Sequence, residues 1–404
     1  MSLILQKFGG SSLADSALIK ASAQTIAASY RTGYKVVVVV SAQGDMTDRL
    51  LKKANEINPD ASKRELDTLV ASGEQISSAL LALALEDLGL AAVSLTGWQA
   101  GLLTDGNHSA ARIENIDTTR IKKELNKNKI VIVAGFQGVT ADGDISTLGR
   151  GGSDTSAVAL AAALRAEICQ IYTDVDGIYT ADPRIVASAK KLTEISYDEM
   201  LELASLGANV LNNRSVELAL KYNVKLQVLS SLHQSEGTYV KEESNVEKTL
   251  IRGVTRDNNI AKVSLMDVED VPGKAYQIFS VLADRKINVD LIIQSVGREG
   301  KQDVSFTVAS SALKDAINAL KENNDVIKAR EISYDKKVSK VSIVGSGVAN
   351  NPGIAAGMFK VIFAEKINIQ MIATSEIKIS VLIAEADAER AVVALHDYFA
   401  LGDS

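Results

Sequence analysis

Short apolar runs recur through the first 230 residues, at Leu3–Phe8, Lys35–Val40, Ile130–Ala134, Ile168–Thr173 and Lys225–Leu229. The second, KVVVVV, is nearly uninterrupted valine, the pattern of a strand buried on both faces. Between the runs lie stretches with helical spacing: Ala14–Arg31, Lys63–Leu88, Thr118–Asn126, Asp154–Ala166 and Tyr197–Tyr222, the last broken near Gly207. This alternation predicts an α/β fold, a mostly parallel sheet covered on both faces as an αβα sandwich. In such sheets ligands sit beyond the carboxyl ends of the strands. The glycine-rich and polar stretches here follow the strands, where that rule wants them.

The rhythm changes near residue 260, where a repeat begins. AKVSLMDVEDVPGKAYQIFSVLADRKINVDLII resembles SKVSIVGSGVANNPGIAAGMFKVIFAEKINIQMIA. Pro272-Gly273 corresponds to Pro352-Gly353, and Lys286-Ile287-Asn288 to Lys366-Ile367-Asn368. Strand Val304–Val308 corresponds to Ile379–Ile383. Each copy reads as strand, Pro-Gly turn, helix, strand, strand, helix, strand: a small split βαβ module of the ferredoxin-like kind. The polar segment Gln234–Thr249 is a connector. The resulting division is a domain over 1–233, a linker and start of the second region over 234–259, and two modules at 260–335 and 336–404.

Composition narrows the function classes. The 404 residues suffice for two or three domains. No run of about 18 apolar residues predicts a membrane span, and MSLILQKFGGSS does not read as a signal peptide, so a cytoplasmic location is expected. Cys169, the single cysteine, excludes an intrachain disulfide and reads as a buried, inert thiol in a strand. His108, His233 and His396 lack metal-ligand spacing, so no metal site is expected. A net charge of −6 without a basic block argues against nucleic acid.

Five stretches carry chemistry. QKFGGSS (Gln6–Ser12) follows the first strand; it is neither G-x-x-x-x-G-K-[ST] nor G-x-G-x-x-G. It is either a plain turn or a loop where Gly9 and Gly10 bring N–H groups to a phosphate and Lys7 adds charge. VSAQGDMTDRL (Val40–Leu50) offers Ser41 and Thr47, as crevice hydroxyls or as helix caps. In ASGEQIS (Ala71–Ser77), Gly73 costs about 1 kcal/mol inside a helix, which suggests close approach of another group. Its neighbour Glu74 either holds an ammonium or is solvated. In STLGRGGSDTSA (Ser146–Ala157), Gly149, Gly151 and Gly152 let N–H groups converge, Ser153 or Asp154 can cap the next helix, and Arg150 offers a fork that suits a carboxylate. IYTDVDGIYTADPR (Ile171–Arg184) mixes acids, hydroxyls and an arginine, as a nucleotide pocket does. Its Asp-x-Asp-Gly start is not a calcium loop, because Ile185 stands where the twelfth-position glutamate is needed.

Together with GFQG (Gly135–Gly138) and the terminal repeats, these motifs occur in the order found in aspartokinases, and the chain resembles the short monofunctional members of that family over nearly its whole length. The resemblance implies the amino acid kinase fold followed by two ACT domains. It implies transfer of the γ-phosphoryl group of MgATP to the β-carboxylate of L-aspartate, giving 4-phospho-L-aspartate. By motif, Lys7, Phe8, Gly9, Gly10 and Ser12 would contact the ATP phosphates, and Thr173, Asp174, Tyr179, Asp182 and Arg184 would line the nucleotide site. Ser41 and Thr47 would sit near the reacting carboxylate, and Arg150 would clamp the α-carboxylate. Glu74 and Asp154 would meet the ammonium, with Gly151, Gly152 and Ser153 completing that wall. Lys7, Arg150 and Asp154 are the catalytic candidates. No protein side chain is assigned to Mg2+.

The ACT pair implies inhibition by lysine, threonine or both. Effector candidates are Asp270, Gly273, Lys274, Ala275, Asn288, Val289, Asp290 and Gln294 in the first unit, and Ile354, Ala355, Asn368, Ile369 and Glu376 in the second. The resemblance further implies a homodimer or homotetramer formed through ACT units, with or without a shorter C-terminal subunit. One departure stands out: the family often reads G-A-K-V-L-H-P-R, whereas GANVLNNRS puts Asn209 at the lysine. Two other functions compete: another amino acid kinase acting on glutamate, acetylglutamate or a nucleotide, and a silent ligand-binding regulator, which Asn209 alone supports.

Overall fold

The computed structural model describes residues 2–204, 210–233, 235–242, 250–295, 297, 299–348 and 351–402. The chain forms two compact units. One contains Met1–Tyr179, Lys191–Ser205 and Asn209–Val246; Thr180–Lys190 and Glu247–Ser404 belong to the other.

The first unit carries β1 (Leu3–Phe8), β2 (Lys35–Val40), β3 (Ala92–Leu95), β4 (Leu102–Thr104), β5 (Ile113–Ile116), β6 (Ile130–Ala134), β7 (Gln137–Val139), β8 (Ile145–Thr147), β9 (Ile168–Thr173), β10 (Glu194–Ser196), β11 (Leu226–Ser230) and β12 (Thr238–Lys241). Its main sheet runs β10-β12-β11-β9-β1-β2-β6-β3 and is parallel except between β11 and β12. A small sheet, β5-β4-β7-β8, lies apart from it.

Strands β1 and β2 are central, and all but the first residue of each is buried. On one face Ile4, Phe8, Val36, Val38 and Val40 share a core with Ile19 and Ile26 of helix Ser16–Arg31 and with Leu81 and Leu85 of helix Ser72–Asp87. Helix Gly152–Leu164 is buried all round along its first ten residues, which its Gly, Ser and Ala content permits. A glutamine ladder ties the register: Gln6 donates to Gln170 and Gln170 to Gln227, each at 2.9 Å across β1, β9 and β11. Among the described residues one helical run, Lys63–Asp87, is long and apolar enough to cross a membrane by length and composition. Half of its most apolar stretch is buried, and it carries Asp67 and Glu74 into the interior, as a core helix does.

The second unit holds β13 (Gly253–Asp257), β14 (Ile260–Glu269), β15 (Val289–Gln294), β16 (Lys301–Ala309), β17 (Glu331–Asp335), β18 (Val338–Val344), β19 (Met371–Thr374) and β20 (Lys378–Ala384). They form two antiparallel sheets, β15-β16-β14-β17 and β13-β18-β20-β19. The first repeat supplies all four of its own strands. The second does not: its fourth strand, β13, precedes the first repeat. Residues 260–335 are therefore inserted into the second module, and the expected linker contains one of that module's strands. Ala181 and Val186 enter the same core with Ile251, Val254, Met358 and Leu395.

The two modules meet in a pseudo-symmetric way. Lys262 and Lys340 occupy matching places in the AKVS and SKVS starts. Lys262 donates to Gln370 at 3.2 Å, and buried Lys340 pairs with Asp290. Asp290 and Gln370 are themselves equivalent, each ending an Asn-x-x triplet. Beside them Ile260 and Leu291 of one module pack with Val338, Met371 and Leu382 of the other.

Candidate active site

Four loops converge at the carboxyl ends of β1, β2, β6 and β9. The Ser41 N–H donates to Phe8 at 3.1 Å, Gly135 to Val40 at 3.0 Å, and Gly9 to Tyr172 at 3.1 Å. Gly44 donates to Gly10 at 3.0 Å, and a Cβ on Gly10 would lie 2.7 Å from the Ala42 carbonyl. Two groups of the expected phosphate loop are engaged within the fold. The Gly9 N–H is already engaged, and the Phe8 ring stacks on Tyr172 with centroids 4.6 Å apart, inside the core. Ser12 is buried, and its hydroxyl has no hydrogen-bond partner among the described residues.

Lys7 points from β1 toward helix Gly152–Leu164, where Asp154 sits in the first turn. Their charged groups are 2.6 Å apart and both side chains are nearly buried. Leaving either charge unpaired at that depth would cost several kcal/mol, of order 3–5. Glu74 is also buried. One oxygen accepts the Ala42 N–H at 3.1 Å and the other has no hydrogen-bond partner among the described residues. Burial pushes its carboxyl up to about 8. Ser41 and Thr47 stand half-buried in the loop after β2 and at the start of helix Met46–Ile57.

Arg150 is exposed, on a loop that enters the helix through Gly151 at φ 69°. A Cβ there would lie 2.3 Å from Asn212 Nδ2, so only glycine fits. Gly152, Ser153 and Asp154 are buried behind it. Three residues to which the motifs gave no role hold this loop. Asn212 Nδ2 donates to the Arg150 carbonyl at 3.1 Å. Arg214 donates to Leu148 at 3.0 Å and to Ala111 at 2.9 Å. Buried Asp67 accepts from Thr147 N at 2.9 Å and Thr147 Oγ1 at 2.6 Å, and also from Ser109 N at 2.9 Å. The signal for Asp67 was available: an acid on the apolar side of a helix must find donors inside.

The remaining nucleotide candidates divide. Thr173 donates to Asp174 at 3.0 Å, and the Tyr179 hydroxyl to Asp176 at 2.6 Å. That hydrogen bond, helped by burial, pushes the Tyr179 phenol up to about 12. Asp182 and Arg184 form their own ion pair, 2.7 Å, in the segment Thr180–Lys190, which belongs to the second unit. The structure thus does not gather them with the others in one unit. Asn209 lies outside the described residues. Cys169 is buried, and burial pushes its thiol well above the ordinary range, in keeping with an inert role.

Among the effector candidates, Asp270, Gly273, Ala275, Asn288, Asp290, Gln294, Asn368 and Glu376 are exposed, Val289, Ala355 and Ile369 half-buried, and Ile354 buried. Lys274 is turned inward. Its ammonium donates to the carbonyls of Val326 and Ile327, each at 3.2 Å, so that charge is committed within the module.

Comparison with known proteins agrees with this architecture. Residues 2–230 match the amino acid kinase family, and residues 266–323 and 341–399 each match the ACT domain. The chain belongs to the amino acid kinase family. Within it the chain belongs to the aspartokinases, which are ATP-dependent kinases. Aspartokinase 2 of Bacillus subtilis is 50% identical over 402 residues, 99% of this chain and 98% of that protein. Two crystal structures of Escherichia coli aspartokinase III are similar, each 26% identical. The complex with aspartate and ADP has a TM-score of 0.84, and the complex with lysine and aspartate 0.77; both cover 98% of this chain and 99% of the other.

Proposed function

We propose that the chain transfers the γ-phosphoryl group of MgATP to the β-carboxylate of L-aspartate, and that lysine, threonine or both inhibit it through the ACT units. The observation that carries this is Glu74: a buried carboxyl group with one oxygen lacking a hydrogen-bond partner among the described residues suits an ammonium better than a phosphate. The acceptor carboxylate has an ordinary pKa of about 3.9, so it is already a nucleophile at neutral pH and needs no general base. The protein has to align two anions and offset their repulsion, about 4 kcal/mol for unit charges some 4 Å apart at an effective dielectric near 20.

Lys7 and the Ser12 hydroxyl face the phosphates, Arg150 takes the α-carboxylate, and Glu74 and Asp154 take the ammonium. Ser41 and Thr47 lie beside the reacting carboxylate. Because Lys7 is paired with Asp154, the phosphate side and the amino-acid side meet at one ion pair. Mg2+ commonly binds through substrate phosphates and water with few protein ligands. When bound it neutralises phosphate charge. Thr173, Asp174 and Tyr179 line the nucleotide side. The product would feed lysine, threonine and methionine synthesis in the cytoplasm, and the ACT units would join copies of the chain, with or without a shorter C-terminal subunit.

Purified protein with MgATP and hydroxylamine should form the hydroxamate of aspartate and of neither glutamate nor acetylglutamate. Absence of an aspartate hydroxamate at saturating MgATP would defeat the proposal. Repeating the assay with lysine, threonine and both identifies the effector.

A further inference from the structure

We propose that Arg214 is a positioning residue for the amino-acid substrate, acting through the Arg150 loop; this rests on the reading of Arg150 as the clamp for aspartate. Arg214 lies in the first turn of helix Asn213–Tyr222. Its Nη1 donates to Leu148, two residues before Arg150, and its Nη2 to Ala111. Ala111 is itself tied to the strand that leads into the loop, its N–H donating to Thr147 at 2.9 Å. Asn212 holds the Arg150 carbonyl, and its side-chain oxygen accepts the Arg214 N–H at 3.0 Å. The short segment Asn212–Arg214 therefore grips three carbonyls, those of Ala111, Leu148 and Arg150. Asp67 grips Thr147 from the other side.

The result is a fixed backbone with an exposed side chain. Arg150 is held at its carbonyl, while its guanidinium is exposed. Orienting the loop is then a cost met in folding and not at each binding event. A planar guanidinium is required because two carbonyls are addressed at once by two nitrogens; a lysine ammonium lacks that fixed fork.

The test uses full-length Arg214→Met and Arg214→Lys beside Arg150→Ala, with aspartate and MgATP varied separately. Arg214→Met should raise the aspartate KM about tenfold, leave the ATP KM within about twofold, and be partly restored by added guanidinium ion. Arg214→Lys should fall between. A merely structural role would lower kcat in step with the folded fraction seen by circular dichroism and leave both KM values alone, which would overturn the proposal. If Arg214→Met does not fold, Asn212→Asp keeps an oxygen for the Arg214 N–H, removes the donor to the Arg150 carbonyl and should still raise the aspartate KM about threefold; no rise overturns the proposal too. A raised aspartate KM in Arg150→Ala with none in the Arg214 variants defeats Arg214 alone. An unchanged KM in Arg150→Ala defeats the clamp, and the inference with it.

Discussion

Glu74 combines a structural cost with a use. Its ordinary value of 4.5 is pushed up to about 8 by burial, so the free protein holds it largely neutral at pH 7. A group raised in the folded state contributes its stability fully below its unfolded value and loses it as pH rises through the folded one. Wild type should therefore lose stability between about pH 4.5 and 8, with a slope approaching about 1.4 kcal/mol per unit, and Glu74→Gln should not. Thermal unfolding across that range measures the difference. Binding an ammonium should ionise Glu74 and release a proton, so the aspartate KM should fall from pH 6 to 8 in wild type and stay flat in Glu74→Gln. A flat wild-type profile removes Glu74 from the ammonium role. The chain announced Glu74 only through Gly73, whose added Cβ would lie 2.7 Å from that of Ala42. Lys7, Asp154 and Arg150 were legible because glycines and a strand end framed them. Asn212 and Arg214 stood in GANVLNNRS without a role assigned, because they act on main-chain carbonyls far away in sequence, and side-chain-to-carbonyl bonds leave no pattern.

Among the elements, those with strong periodicity were legible: β1, β2, β6, β9 and β11 all fall on the apolar runs. The short β3, AVSL, and the small sheet of three- and four-residue strands were not, since so few residues show no alternation. The pairing between modules was equally hidden, although the two KVS segments create it. Lys340 is 3% exposed, while Asp290 keeps nearly half its side chain in water. Removing the buried partner and removing the exposed one should differ in outcome. Lys340→Met replaces a buried ammonium by an apolar side chain of similar length and should stay within about 1 kcal/mol of wild type. Asp290→Ala strands a buried cation and should cost more, about 1–3 kcal/mol given Asp290's exposure. Gln370→Glu should add a second ion pair with Lys262. Equal losses in Lys340→Met and Asp290→Ala would mean that burial of Lys340 is not what makes the pair matter.

For the whole molecule, the modules do not follow one another in tandem along the chain. The repeat in the sequence suggested two modules in tandem, and only the register of β13 on β18, Asp257 beside Lys340, reveals the insertion. Five residues, GVTRD, following a polar stretch could not disclose a partner some 85 residues away, because β-pairing depends on contacts that local pattern does not encode. The insertion makes a prediction about dissection. Cutting the chain after Lys337 deletes β18, β19 and β20, leaving β13 without a sheet and Ile251, Val254, Ala181 and Val186 without their core. That product should be insoluble or unfold at low denaturant. Excising 258–337 and closing the gap with a short Asn-Gly turn should instead keep β13 and β18 as a hairpin, since the Ser339 hydroxyl already lies 3.3 Å from the Asp257 carbonyl. The excised chain loses Ile260 and Leu291 from the module interface and exposes Val338, Met371 and Leu382, so it should be less stable than wild type. It should nevertheless unfold cooperatively in a denaturant titration followed by circular dichroism. If the excised chain proves as unfolded as the truncated one, the second module cannot stand without its insert, and the two ACT units fold as a single body.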